Sequence, residues 1–468
     1  MAVMLGIIGL VIVLSALLSR AMERGSFSSA IFFVAIGLAL GQTGLMRLPV
    51  DSEQVVLIGI LTLTLTLFTD ALKMQTEQLK QDWPASIAVL GPGTILTTLS
   101  IAATARWLLS FEIIPSLLLG AVLASTDPVL LRDVLRDRRT PQAVRQILSV
   151  ESGMNDAVAL PAILILIAVA GGRLHSAASW VGFALPVFVL SPLVGVAVAW
   201  VGMRTLTWVD RRIGVRRDYQ SLYSLGVAFI AYASADALGA SGLLAAFVAG
   251  LTIAVSDLDL CECFLEYGET TAELLMLLTF VIFGSSLVRP ALAAVDWRTV
   301  VFTAIVLFVC RPVVLILVLS RFRIPIQDKL FAAWHGPRGL NSILLALLVL
   351  VSGAAGGEQV FAVTGIVVLA SVVLHGVTGT PLVAWASRAP DVELVPGREA
   401  DEIPRISVRE LAAMLERQEP VLVVDVRKPG DLDRDARRIP TAVHFAPDEA
   451  ATRVAELAPE GLIVLYCA

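Results

Sequence analysis

Charge is what this chain is short of. Of its 468 residues only 16% are charged, while 57% are hydrophobic, and the mean hydropathy is +0.83. A soluble globular protein keeps about a quarter of its residues charged, so an ordinary soluble globule is excluded, as is a disordered chain. Cysteine is also scarce: Cys261, Cys263, Cys310 and Cys467 are the whole complement, which excludes a disulfide scaffold. Cys261 and Cys263 form a C-x-C with no further Cys or His nearby, so no zinc site is expected. Glycine shows no triplet period, which excludes a collagen-like fibre. The net charge of −5 is small and scattered, so nucleic acid is not an expected partner. No basic stretch precedes apolar residues 1–19, which therefore read as a first membrane span rather than a cleaved signal.

What is there is apolar sequence in long runs. Residues 389–468 hold 26 of the 75 charged residues and residues 1–388 the other 49. That shift divides the chain into a membrane domain, 1–387, a linker, 388–403, and a polar tail, 404–468. A helix needs about 20 apolar residues to cross the hydrocarbon. Such runs give about 13 spans, near 3–19, 28–46, 54–72, 84–109, 114–135, 146–170, 178–206, 219–238, 241–256, 269–288, 299–319, 329–351 and 360–387. Period-2 alternation is absent, and in lipid only helices then satisfy their own backbone. The expected class is an all-α polytopic membrane protein in contact with the lipid bilayer. Connections after odd-numbered spans carry 17 Lys and Arg, those after even-numbered spans 5. By the positive-inside bias the N-terminus lies outside and the tail is cytoplasmic. The ninth connection, with Asp257, Asp259, Glu262 and Glu266, carries no basic residue and is the weak point of this topology.

Charges inside spans are costly and therefore functional candidates. The basic ones are Arg311 and Arg338. The acids are Asp127, Glu151, Asp156, Asp236 and Glu273, with Asp70 at an edge. Asp127 sits in Ser125-Thr126-Asp127-Pro128. Proline disfavours helix before itself and lacks an N–H, so the fifth span is expected to unwind at Thr126 and Asp127. Freed carbonyls beside a carboxylate suit a hard monovalent cation; the alternative is a kink whose Asp caps the half-helix that follows.

Asp156 ends Glu151-Ser152-Gly153-Met154-Asn155-Asp156. Ser152 and Asp156 are four apart and share a helix face, as do Glu151 and Asn155 on a neighbouring one. A buried carboxylate without a partner disfavours its charged form, so a cation and a proton would compete for Asp156. The alternative is a capped helix end near the membrane surface. Glu151 needs a partner, and Arg311, before Pro312, is the natural one. Arg338 lies in a second breaker-rich point, Gly336-Pro337-Arg338-Gly339, with Asp236 as a candidate partner; snorkelling to an interface is the alternative for either Arg. The breakers fall in spans five and twelve, the placement expected of an inverted repeat with two broken helices.

These motifs, together with Phe283-Gly284-Ser285-Ser286, resemble the sodium/proton antiporters of the NhaP and exchanger type, within the monovalent cation:proton antiporter superfamily. The resemblance covers residues 1–387. It implies a plasma-membrane homodimer with a moving core and elevator-like alternating access, transporting a monovalent cation and protons without a cofactor. Carried over by residue, Asp156 is the shared proton and cation carboxylate, Asp127, Thr126 and Ser152 line the ion site, and Asn155 neighbours it. Glu151 pairs with Arg311, and Arg338 lies in the second broken helix. Relatives with Asn-Asp at 155–156 are usually electroneutral, which implies one cation for one proton. The family segment often reads Gly-Leu-Arg-Gly; here Pro337 replaces the Leu.

In the tail, Ser407-Val408-Arg409-Glu410 has a helix-opening pattern, and Val421–Arg427, Ile439–His444 and Leu462–Cys467 carry strand patterns. This is similar to the first part of a small α/β rhodanese domain, in which a strand ends at the nucleophilic Cys of an anion-binding loop. Here one residue follows Cys467. The loop that would make it a thiolate is missing, so sulfur transfer is not expected. The leading expectation is Na+/H+ antiport, with K+/H+ antiport, a membrane-anchored sulfurtransferase-like sensor, and a channel as alternatives. An anchor needs no intramembrane carboxylates, and a channel would carry current without proton coupling.

Overall fold

A computed structural model describes residues 6–7, 9–17, 29–44, 49, 52–73, 83–137, 140–172, 174–256, 258–286, 288 and 295–386 of the first unit. In the tail it describes 406, 411, 414–415, 417, 421–426, 439, 442–445 and 462–466. The chain divides into two compact units, Met1–Ala389 and Pro390–Ala468.

Among the described residues of the first unit the regular elements are all helices. After a helical stretch over 9–17 come α1 (Ser29–Gln42), α2 (Glu53–Leu72), α3 (Pro84–Leu109), α4 (Ile113–Ala124), α5 (Pro128–Arg136), α6 (Gln142–Ala170) and α7 (Ala177–Ile213). Then follow α8 (Arg217–Ala237), α9 (Gly242–Ser256), α10 (Leu258–Ser286), α11 (Trp297–Leu319), α12 (Ile326–Trp334), α13 (Leu340–Val351) and α14 (Gly357–Ala386). Among the described residues seven helical stretches are long and apolar enough to cross a membrane, and four more are shorter apolar helices.

Prolines shape several of them. Pro92 in α3 and Pro186 in α7 lie within wide π-type turns, and a third such turn, Val306–Cys310, runs into Arg311-Pro312 in α11. A ring without an N–H breaks the i to i−4 ladder, and a widened turn absorbs the break without ending the helix. Helices that share an apolar solvent with lipid gain little from hydrophobicity when they pair, so small residues set their approach. Accordingly Gly37 and Gly41 on α1 face the backbone of Val281 and Ser285 on α10, and Gly284 on α10 faces that of Val34 and Leu38.

The acidic stretch expected to form the ninth connection is helical. Residues 258–267 are the first part of the 29-residue α10. The sequence there interleaves Leu258, Leu260 and Leu265 with the acids, and leucine is a good helix former.

Two helices are broken. Between α4 and α5, Ser125-Thr126-Asp127 is not helical, and between α12 and α13 neither are residues 335–339. Pro128 starts the half-helix after the first gap, where its missing N–H costs nothing. In the second unit, β1 (Val421–Asp425), β2 (Val443–His444) and β3 (Leu462–Tyr466) form a parallel sheet in the order β2-β1-β3. Ser407–Glu410, Cys467 and the linker 388–403 lie outside the described residues.

Candidate functional site

The two gaps touch. The Asp127 N–H donates to the Pro337 carbonyl at 3.0 Å, and the Leu340 N–H, first in α13, donates to Asp127 Oδ2 at 2.6 Å. Asp127 therefore caps a half-helix, but the one in the other broken helix, not its own. The compensation is reciprocal. Arg338 Nη1, between α12 and α13, donates to the carbonyls of Ala124 (2.9 Å) and Ser125 (3.1 Å) at the end of α4. An anion thus sits at a helix N-terminus and a cation at a helix C-terminus, as the helix dipoles favour, and both side chains are buried. A buried half-helix end with unsatisfied groups would be costly; each break supplies what the other lacks. Gly339 carries no side chain because the Asp127 carboxylate occupies the space a Cβ would take.

Helix α6 runs beside this crossing and presents Asp156 to it. Ser125 Oγ donates to Asp156 Oδ1 at 2.6 Å, and Asn341 Nδ2, on α13, donates to Oδ2 at 2.9 Å. Asn155 Nδ2 donates to Thr126 Oγ1 at 2.7 Å and to the Thr126 carbonyl at 3.4 Å. Asp156, Asn155, Thr126, Asp127 and Ser125 are all at most 3% exposed. The crossing thus brings together five of the residues expected at the ion site or its second break: Asp156, Asp127, Thr126, Asn155 and Arg338.

Two of the expected residues have other partners or surroundings here. Ser152 is buried on α6, but its hydroxyl donates to the Ser149 carbonyl at 3.4 Å; the hydroxyl on Asp156 is that of Ser125. A helical Ser readily bonds back into its own turn, whereas Ser125 in the gap has no helix to bond into. Asp236 is exposed at the end of α8, and Arg338 uses carbonyls instead. The spare carbonyls of a broken helix accept from the Arg338 guanidinium, and sequence spacing does not reveal them.

Glu151 and Arg311 do meet. Arg311 Nε and Nη2 reach Oε1 and Oε2 at 3.1 and 2.8 Å, a two-pronged pair. Its other donors go to the carbonyls of Ala332 (3.0 Å), Ala333 (2.6 Å) and His335 (3.1 Å) at the end of α12. Gly336, like Gly339, leaves no room for a side chain, here because the guanidinium lies against it. On α14, Ser371 Oγ accepts from the Arg338 N–H at 2.7 Å, and His375 Nε2 lies 3.2 Å from the Trp334 carbonyl. The second gap is therefore pinned from both sides.

An opening adjoins the site. A cavity of about 20 Å³, room for about one water, is lined by Thr66, Asp70, Lys73, Pro128, Glu269 and Glu273, among others, so it reaches the residue next to Asp127. Lys73 Nζ is 3.2 Å from Asp70 Oδ1 and 3.4 Å from Glu269 Oε1. Ser125 and Asn341 are the contacts not expected from sequence. The signal for Asn341 was an amide, beside Ser342, in the mostly apolar run Leu340–Val351.

The sodium/hydrogen exchanger transmembrane family model matches residues 10–385, most of the chain. The chain belongs to that family. Among its relatives are a K(+)/H(+) antiporter NhaP of Alkalimonas amylolytica, 26% identical over 389 residues, and K(+)/H(+) antiporter NhaP2 of Shewanella oneidensis, 26% identical over 392. The alignments cover 81% and 82% of this chain and 66% of each relative. The chain thus spans just under two thirds of the length of these relatives, which are named as antiporters and not as enzymes. The sodium proton antiporter MjNhaP1 of Methanocaldococcus jannaschii has the same fold, with a TM-score of 0.67 at 22% identity, over 82% of this chain and 99% of that one. The exchanger-family fold is therefore a mostly helical membrane-transporter fold, here with the crossing of two broken helices beside Asp156.

Proposed function

We propose that this chain is a secondary antiporter that exchanges a monovalent cation, Na+ in the first instance, for a proton across the plasma membrane. The carrying observation is a carboxylate, Asp156, 3% exposed and held by two neutral donors rather than by a cation. A buried carboxylate so placed is stable as COOH or with a metal ion beside it. Thr126, Asp127 and the gap carbonyls are the further oxygens offered to an ion, and oxygen ligands suit hard cations. The acid-lined cavity by Pro128 supplies the approach. Glu151 and Arg311 hold the frame and are not ligands.

One titrating carboxylate carries one charge of either kind, so exchange is electroneutral in this reading. The chain acts as a homodimer whose core moves by an elevator-like step, N-terminus outside and tail cytoplasmic. The tail, with its parallel sheet in the order β2-β1-β3, is read as rhodanese-like. K+/H+ exchange is the second reading, favoured by the names of the Alkalimonas and Shewanella relatives.

The test is collapse of a preformed pH gradient in everted vesicles on adding Na+, K+ or Li+ in turn. Dequenching with Na+ supports the first reading, with K+ alone the second. No response to any of the three overturns both.

A further inference from the structure

Asn341 is 1% exposed in the first turn of α13. Its amide nitrogen is spent on Asp156, but its side-chain oxygen has no hydrogen-bond partner among the described residues, and neither has that of Asn155. A buried amide oxygen left without a donor costs about 1–3 kcal/mol, and such an orphan marks a place where something else binds. A donor would satisfy it, and so would a cation. The atom belongs to the same amide that grips Asp156 and lies one residue from the Leu340 N–H that holds Asp127.

We propose that Asn341 completes the cation site, its amide N–H holding ionised Asp156 and its side-chain oxygen coordinating the ion that Asp156 binds. The second broken helix then supplies a ligand as well as a cap, and the ion bridges the two breaks. An amide also serves both loads of the site. It donates to the carboxylate, and after a half-turn about its last side-chain bond it accepts from the carboxylic acid. The inference rests on Asp156 being the exchange carboxylate.

The test compares Asn341→Thr with Asn341→Val, near-equal shapes that differ by a hydroxyl, in proteoliposomes loaded with a pH dye and titrated with Na+ and with K+. Val is expected to raise the apparent KM for the transported ion about tenfold or more, as loss of a hydrogen bond to a charged group does, with Vmax within about threefold. Thr is expected to stay within about threefold of the unaltered protein. Cation-induced thermal stabilisation, read on the same samples, should fall for Val and persist for Thr, a difference that a merely structural role would not produce. If Val does not insert, Ala takes its place in the comparison. Equal KM for the two variants, or a loss of Vmax with KM unchanged, overturns the assignment. Asp156→Asn run in parallel separates the failures. If it still exchanges, the antiport reading falls; if it is silent while Val matches the unaltered protein, only the role of Asn341 falls.

Discussion

At Arg311 all five donors of the guanidinium have acceptors, two on Glu151 and three on carbonyls at the end of α12. Removing one partner of a buried pair leaves an uncompensated charge and costs about 3–5 kcal/mol. Arg311→Ala is therefore expected to lower thermal stability in detergent strongly while leaving the apparent ion affinity of the surviving protein within about threefold. Unchanged stability with altered affinity would move Arg311 into the ion site. The two serines separate just as cleanly. Ser125 bonds Asp156 and Ser152 does not. Hydrogen bonds to charged groups are worth about 1.5–3 kcal/mol, so Ser125→Ala is expected to raise the apparent KM about tenfold or more. Ser152→Ala should change it by less than about threefold. The reverse order in a dye-based exchange assay would return Ser152 to the site.

The element that matters is the broken helix, and it exists only as a pair. Asp127 reaches the start of α13 and Arg338 the end of α4, so neither gap is stable alone. Gly339→Ala puts a methyl group where the Asp127 carboxylate lies. Overpacking of this kind costs about 1–3 kcal/mol or more. Exchange is expected to be lost together with thermal stability; a fully stable, fully active variant would mean that the crossing is not needed. Both breaks were legible in the sequence, because proline at 128 and Gly-Pro-Arg-Gly at 336–339 are local signals. What each break bonds to was not legible, because Asp127 and Leu340 are far apart in the chain and spacing carries no distance. The pairing of Glu151 with Arg311 could be read, since a buried acid in a span demands a cation and few exist. Arg338 with Asp236 followed the same logic and failed, because gap carbonyls were not counted as acceptors. The acids near 258–267 read as a loop because a run of charge ordinarily ends a membrane span, whereas α10 begins there.

For the molecule as a whole, the proposed function is that of a carrier with one load at a time. The frame of Glu151, Arg311, Ser371 and His375 is built from groups bonded to one another or to backbone, whereas Asp156 is held by two neutral donors, Ser125 and Asn341. In proteoliposomes clamped with valinomycin and K+ gradients, Na+-driven proton movement is expected to be independent of the imposed potential. A rate that follows the potential would require a second titrating group, for which Asp70 at the cavity wall is the obvious candidate.

The central claim is that a proton and a metal ion exclude each other at Asp156, and proton release on ion binding measures it without any transport step. Purified protein in weakly buffered detergent solution, near neutral pH, is titrated with NaCl or KCl against choline chloride while free protons are followed. About one proton is expected to be released per cation bound, and none from Asp156→Asn. Cation binding without proton release, or release that persists in Asp156→Asn, would contradict it.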